Sequence, residues 1–307
     1  MTPIIDVQNL VKRYDGFTAV DGVSFSVAGG EFFGLLGPNG AGKTSLIRII
    51  TTINKADSGR VFFDGERLSS RHPARIGYMP EERGLYKKMK VGEHLLYLAR
   101  LKGLSRTDAD QQIAYWFERL DITDWYEKKV EELSKGMQQK IQFISTVIHR
   151  PKLLILDEPF SGLDPINTKL IKGEIRQLNQ QGTSIIFSTH RMEQVEEMCE
   201  DIVLINKGEN VLQGQVNQLK ERFKENRFNV EYEGELPEAI LDIAQLEERQ
   251  NGQVVFRLQA EHSPNELLRY LMDKGLLIHG FNELLPSLNE IFIKQVNNTS
   301  AAPMPEA

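Results

Sequence analysis

The sequence predicts an α/β fold in which a phosphate-binding loop joins a buried strand to a helix. Residues 37–44 read Gly-Pro-Asn-Gly-Ala-Gly-Lys-Thr and match the pattern G-x-x-x-x-G-K-[ST] at every position. The apolar run Glu31–Leu36 enters this loop as a strand, and Lys43–Ile53 leaves it with the pattern of a helix. Further along, an apolar run ends at Asp157 and Glu158, which is typical of a central parallel strand that stops at a ligand-binding edge.

The loop residues have the chemistry that the phosphates of a nucleotide require. Glycines let the backbone approach an anion closely, so that several N–H groups and the positive end of the following helix converge on one phosphate. Lys43 adds a charge for the β- and γ-phosphates, and the Thr44 hydroxyl is a candidate Mg²⁺ ligand. We expect ATP to bind Gly37, Pro38, Asn39, Gly40, Ala41, Gly42, Lys43, Thr44 and Ser45.

Length, charge and cysteine content restrict the class of protein. The 307 residues suffice for one large and one small domain, and the net charge of −6 argues against a general nucleic-acid-binding protein. The single cysteine, Cys199, cannot form an internal disulfide, which fits a reducing compartment. The N-terminus resembles a strand instead of a signal peptide, and no apolar stretch approaches the roughly 20 residues of a membrane span. We therefore expect a protein that reaches a membrane only through a partner.

The elements around the loop follow from apolar periodicity and turn residues. The strand-like patches of the first 66 residues are Ile4–Leu10, Val23–Val27, Glu31–Leu36 and Arg60–Phe63. Tyr14 follows the first patch, where its ring could either stack on an adenine or pack locally, and the sequence leaves both open. Pro80 predicts a loop, and a helical stretch with apolar residues at helical spacing follows it.

Two further segments carry candidate catalytic residues. Ser134 and Gly136 precede a predicted helix, so they form a second candidate anion site. Asp157 can hold Mg²⁺, and Glu158 beside it can deprotonate a water molecule. His190 ends another buried strand at the same edge of the sheet as Asp157, and we therefore expect it to reach the γ-phosphate.

Together these motifs resemble the ATP-binding subunit of an ABC transporter. The phosphate loop, the Leu-Ser-x-Gly signature at 133–136, the Asp-Glu pair, the Ser-Gly-Leu-Asp turn at 161–164 and His190 have the family's order and spacing over about residues 4–216. The resemblance implies a P-loop NTPase of the ABC ATPase type, with an antiparallel β-subdomain and a helical subdomain. It also implies Mg²⁺-dependent ATP hydrolysis coupled to transport.

The resemblance further implies partners. Two such subunits would face head to tail, with the ATP on one subunit contacted by Ser134, Gly136, Gln138 and Asp164 of the other. An integral membrane permease would be driven through the loop Glu81–Lys88 and the neighbouring helices, with the ATPase on the cytoplasmic face of the cell membrane. No nucleic-acid partner is expected.

The C-terminal part resembles the small α+β domain of ABC-2-type exporter ATPases, including the sodium-extrusion group. We therefore expect an ATPase domain at 1–216 and an accessory domain at 217–297. Residues 298–307, rich in Asn, Ser, Ala and Pro, are expected to be a disordered tail. The exporter resemblance implies that hydrolysis drives export.

One position departs from the family pattern. After Tyr-x-Pro the family usually has a glutamine that reaches Mg²⁺ and the attacking water, whereas this chain has Glu81. A carboxylate is favourable near Mg²⁺ and repulsive near the γ-phosphate, so we expect Glu81 on the metal side. The alternative is that Glu81 faces solvent and only lines the contact with the membrane subunit.

Two other functions compete with transport. A soluble ABC ATPase could act on ribosomes or nucleic acid, but the chain has no long heptad run and only one phosphate loop and one signature. A non-hydrolysing nucleotide sensor would not need Glu158 and His190, both of which are present.

Overall fold

In the computed structural model, which describes residues 2–237, 242–250 and 252–300, the chain divides into two compact units. The units are Met1–Gln215 and Val216–Ala307, and their division lies beside the boundary expected at 216/217. Of the expected tail, residues 298–300 end the last helix and residues 301–307 lie outside the described residues. Over the described ranges, no helix combines the length and the apolar character that crossing a bilayer requires.

The first unit begins with short strands and continues as alternating helices and strands. Its strands are β1 Ile5–Tyr14, β2 Phe17–Val27, β3 Phe32–Leu36, β4 Ser58–Phe63, β5 Glu66–Arg67, β6 Ile76–Met79, β7 Leu153–Asp157, β8 Ser184–Thr189, β9 Asp201–Asn206 and β10 Glu209–Gln215. Its helices are α1 Lys43–Ile50, α2 Val91–Leu101, α3 Arg106–Arg119, α4 Lys135–Val147, α5 Pro165–Gln180 and α6 Met192–Met198. Short 3₁₀ turns occupy His72–Arg75, Thr123–Trp125 and Val130–Glu132.

A six-stranded sheet of order β10-β9-β3-β8-β7-β6 carries the phosphate loop. Its neighbouring strands are parallel, except for the antiparallel hairpin of β9 and β10. Every residue of β3, β7 and β8 is buried, as expected for continuous apolar strands covered on both faces. The carboxyl ends of these three strands therefore lie at one edge of the sheet. There the loop after β3 lies near Asp157, the last residue of β7, and near Glu158, which follows it.

The antiparallel and helical parts flank this sheet as predicted. A second sheet has the order β2-β1-β4-β5, and all of its pairs are antiparallel. Helix α2 packs against both α3 and α4, and Trp116 of α3, which is 3% exposed, meets Phe143 of α4 edge-on at 5.6 Å between ring centroids. The predicted α/β fold with an antiparallel β-subdomain and a helical subdomain is thus confirmed.

The second unit is a small α+β structure. Its elements are α7 Val216–Arg222, β11 Arg227–Glu233, β12 Ala244–Gln250, β13 Gln253–Leu258, α8 Pro264–Asp273, β14 Leu277–Leu284 and α9 Leu288–Ser300. The strands form an antiparallel sheet of order β12-β13-β11-β14. Helix α8 starts with a capping box of Ser263 and Glu266, and it buries Leu267 and Leu271 in the apolar core that the sheet supplies.

Candidate active site

The phosphate loop connects β3 to α1 in a conformation that requires glycine. Gly42 has a φ of 109°, and a Cβ atom at this position would lie 2.1 Å from the Ala19 carbonyl oxygen. Gly42 also caps α1 without any side-chain hydrogen bond, so the first backbone N–H groups of the helix remain free for a ligand. These groups and the helix dipole make the loop an anion-binding site, as the motif predicts.

Lys43 is held inside the loop by backbone carbonyls. Its ammonium is nearly buried, and it donates hydrogen bonds to the carbonyl oxygens of Gly37 at 2.6 Å and Pro38 at 3.0 Å. Burial lowers the pKa of Lys43, whereas the charges of nearby Asp157 and Glu158 oppose this shift. A buried cation with only neutral acceptors gains free energy when an anion arrives, which suits a phosphate-binding lysine.

The two acids at the end of β7 have different environments. Asp157 is 5% exposed and accepts a hydrogen bond of 2.8 Å from the Ser188 hydroxyl on the adjacent strand β8. Burial raises the pKa of Asp157, whereas the bond from Ser188 and the charge of Lys43 act in the opposite direction. Glu158 follows with a φ of 49°, a left-handed conformation that is uncommon outside glycine and often marks functional residues.

The Glu158 carboxylate is oriented by hydrogen bonds from the end of β8. It accepts one from the His190 backbone N–H at 2.9 Å and one from the Thr189 hydroxyl at 3.1 Å. The His190 ring nitrogen Nδ1 lies 2.6 Å from the same carboxylate and donates to it. The pairing of β7 with β8 therefore brings the predicted residues Glu158 and His190 together.

One cavity of about 320 Å³ joins these groups. It is lined by the loop residues 39–45, by the three acids Glu81, Asp157 and Glu158, and by Phe17 and Ala19. The predicted loop residues from Asn39 to Ser45 thus line the same cavity as Glu81, the residue that departs from the family pattern. Gly37 and Pro38 precede them and contact the site through their carbonyl bonds to Lys43.

Tyr14 does not line this cavity. Its hydroxyl accepts a hydrogen bond of 2.8 Å from the Asn54 amide, and the Lys12 ammonium lies 5.4 Å from its ring centroid. The aromatic side chain at the cavity is Phe17, which pairs with Tyr14 across the hairpin and is 57% exposed. An aromatic residue three positions after Tyr14, at the start of the next strand, is the sequence signal that could have identified it.

The oxygen ligands at the cavity suit Mg²⁺. Thr44, Asp157 and Glu81 offer hydroxyl and carboxylate oxygens, which this ion prefers. Within the described ranges, no three His, Cys, Asp or Glu side chains are grouped so as to hold a metal ion by themselves.

The four signature and turn residues do not line the cavity of their own chain. Ser134 caps α4 by accepting a hydrogen bond of 3.3 Å from the Met137 N–H, and Asp164 caps α5 in the same way through Asn167. The space in front of Gly136 is open, since an added Cβ there would meet only Leu163 at 3.9 Å.

Gln138, the remaining member of this set, uses its side-chain amide within its own chain. Helix α4 starts at Lys135, so Gln138 lies in its first turn. Its amide donates to the carbonyl oxygens of Val130 at 3.2 Å and Leu133 at 3.1 Å. The donors that would bind a phosphate are therefore used within its own chain.

Matches to known proteins cover nearly the whole chain. Residues 20–161 match the ABC transporter family model, and residues 214–296 match the model of the C-terminal domain of DrrA1-3-like ATP-binding proteins. The ABC transporter ATP-binding protein YhaQ of Bacillus subtilis (strain 168) is 43% identical over 95% of this chain and 98% of that protein. The linearmycin resistance ATP-binding protein LnrL of the same bacterium is 36% identical over 69% of each chain.

A solved structure of an ATP-binding subunit of an ABC transporter matches with a TM-score of 0.68 and 27% identity, over 72% of this chain and 93% of that chain. These relatives support the transporter function, and not the alternative function on ribosomes or nucleic acid. The geometry and the comparisons agree that the chain belongs to the ATP-binding subunits of ABC transporters, and that it is an ATPase.

Proposed function

We propose that Glu158 is the general base for hydrolysis of ATP held at the phosphate loop, in a Mg²⁺-dependent reaction. The observation that supports this most is the cavity that joins Lys43, Asp157 and Glu158 to the loop. The carboxylate of Glu158 is held by donors on Thr189 and His190, so it needs little reorganisation to accept a proton from water.

Lys43 and His190 complete the phosphate contacts in this proposal. The phosphate oxygens are charged acceptors and bind an ammonium more strongly than carbonyl oxygens, so Lys43 transfers from Gly37 and Pro38 to the β- and γ-phosphates. The half-exposed His190 ring uses Nδ1 for Glu158, which leaves Nε2 to reach the γ-phosphate. When bound, Mg²⁺ neutralises part of the phosphate charge, with Thr44, Asp157 and Glu81 as the residues that would hold it.

The proposed partner at the ATP site is a second ATPase subunit. Ser134 and Gly136 lie outside the cavity of their own chain, and Gly136 leaves open space at the first turn of α4. A helix N-terminus of this kind can bind a phosphate from the other side. ATP would then join the phosphate loop of one subunit to Ser134 and Gly136 of the next, and loss of the γ-phosphate would loosen the dimer.

The proposed membrane partner is a permease that docks beside the loop after Glu81. Exposed apolar side chains gather there, with Tyr86 50%, Tyr97 43% and Leu101 65% exposed, and the rings of Tyr86 and Tyr97 are in edge contact at 5.7 Å between centroids. Leu101 and the 60% exposed Ile53 line one cavity of about 550 Å³. An apolar surface with such a concavity fits a helical segment of a partner.

This docking surface would place the ATPase on the cytoplasmic face of the cell membrane. Export is the proposed direction of transport, supported by the resistance function in the name of LnrL and by the resemblance of the C-terminal part to the exporter ATPases.

Nucleotide binding by Lys43→Ala tests the site itself. Loss of charge-assisted hydrogen bonds worth about 1.5–3 kcal/mol should weaken ATP binding roughly 10- to 100-fold. Binding is measured with a fluorescent ATP analogue, and hydrolysis by the wild type is measured with Mg²⁺ and after its chelation. Unchanged affinity in Lys43→Ala, or full hydrolysis without Mg²⁺, would contradict the proposal.

A further inference from the structure

A chain of hydrogen bonds leads from the loop after Glu81 to the turn that carries Glu158. The Arg83 Nε–H donates to the Gln139 side-chain oxygen at 3.1 Å. The Gln139 side-chain nitrogen then donates to the Pro159 carbonyl oxygen at 2.9 Å. Gln139 is 2% exposed; its hydrogen bond to Pro159 is buried, and its hydrogen bond from Arg83 is partly buried.

The orientation of the Gln139 amide is fixed by these two partners. Arg83 can only donate and the Pro159 carbonyl can only accept, so a reversed amide would face a like group at each end. Aligned hydrogen bonds of this kind polarise one another and act as a unit. The guanidinium also lies against the turn after Glu158, since a Cβ atom at Gly162 would be 3.3 Å from the Arg83 Nη2.

Pro159 lies where the backbone conformation has to be held in place. It directly follows Glu158, whose left-handed φ of 49° is unfavourable for a residue that precedes proline. The surrounding structure must therefore maintain this conformation, and the bond from Gln139 is one of the contacts that does so. A shift of the Pro159 carbonyl would move Pro159, and with it the backbone next to the Cα atom that carries the Glu158 side chain.

Arg83, where this series of hydrogen bonds starts, lies in a loop that α4 also contacts. Gln142, one helical turn after Gln139, donates to the Pro80 carbonyl oxygen at 2.7 Å, so the loop is anchored three residues before Arg83. The exposed side chain of Tyr86 follows three residues later, in the proposed docking surface for the permease.

We infer that Arg83 is a positioning residue that sets the place of Glu158 through Gln139 and Pro159, and so links partner docking to hydrolysis. The inference rests on the proposed role of Glu158. It assigns Arg83 no contact with ATP, because Arg83 is absent from the residues that line the ATP cavity.

The test compares variants at Arg83 and at Gln139, the two residues whose side chains form this series of hydrogen bonds. Arg83→Met keeps the length of the side chain and removes the donor, whereas Gln139→Glu keeps the acceptor for Arg83 and removes the donor for Pro159. Misplacement of a reacting group by about 1 Å can cost up to 100-fold in rate, so each variant should lower kcat by about 10- to 100-fold with KM for ATP and ATP affinity within twofold. The double variant should be no slower than the slower single variant, because both changes break one chain.

Two controls separate this role from general damage. Arg67→Met removes an exposed cation from β5, outside this loop, and should leave kcat unchanged, and Arg83→Lys should recover part of the rate because it restores a donor. Wild-type kcat in Arg83→Met, multiplicative losses in the double variant, or an equal loss in Arg67→Met would each overturn the inference. An inactive wild-type protein would instead contradict the proposed function.

Discussion

Replacement of Gly42 by alanine tests how closely the phosphate loop fits against β2. The new Cβ atom would lie 2.1 Å from the Ala19 carbonyl oxygen, whereas side-chain Cβ atoms essentially never come within 3.0 Å of another heavy atom. The contacting atom belongs to the backbone of a buried strand residue and cannot rotate away. The loop or the strand must therefore move by about 0.9 Å, or the helix start must distort.

Gly40→Ala is the matched control because it lies in the same loop. Its φ of 80° is also left-handed, but no atom lies within 4 Å of the added Cβ. A left-handed backbone costs alanine about 1–2 kcal/mol, and this cost applies to both variants. Overpacking adds about 1–3 kcal/mol for Gly42→Ala alone, so we expect losses of about 1–2 and 2–5 kcal/mol in the free energy of unfolding.

Urea unfolding of the nucleotide-free protein, followed by tryptophan fluorescence, measures both losses. The chain has two tryptophans, Trp116 and Trp125, and both belong to the first unit, so the signal reports on the unit that contains the loop. Equal losses in the two variants would refute the reasoning, since they would show that the close approach to Ala19 has no energetic effect.

Three further predictions concern the dimer, the domain boundary and the metal. Ser134→Arg should abolish ATP-dependent dimerisation in gel filtration while nucleotide binding persists; an unchanged dimer would rule out a composite site. A chain that ends at Gln215 should still bind ATP, since every described cavity residue precedes it; a folded truncation that cannot bind ATP would rule out independent units. Glu81→Ala should need more Mg²⁺ for its half-maximal ATPase rate than either the wild type or Glu82→Ala; coincident Mg²⁺ curves would leave Glu81 with the docking role instead.

The parts of the site that are contiguous in sequence could be predicted from it. The phosphate loop combines its chemistry and its geometry within eight residues, and the acids after β7 directly follow an apolar strand. Glu158 and His190 could be placed together because parallel strands end at the same edge.

Features that depend on pairing or on helix phase could not be predicted in the same way. Phe17 lines the cavity, and it pairs with Tyr14 across a hairpin. The sequence shows two aromatic residues around this turn, but it does not show which of them lines the cavity. The contacts of Gln138 depend on the start of α4 at Lys135, because the start of a helix sets the direction of each side chain in its first turn. The strand β12 has few apolar residues and is a strand because it pairs with β13.

The ATPase rate of Glu158→Gln tests the central claim most directly. Glutamine keeps the size of the side chain, and its single amide oxygen can still accept the hydrogen bonds from His190, but it cannot take up a proton from water. Loss of a general base lowers the rate by about 100- to 10,000-fold. We predict a rate lowered to this extent, with ATP still bound and the ATP-dependent dimer persisting. A variant that turns over at close to the wild-type rate would show that Glu158 is not the base.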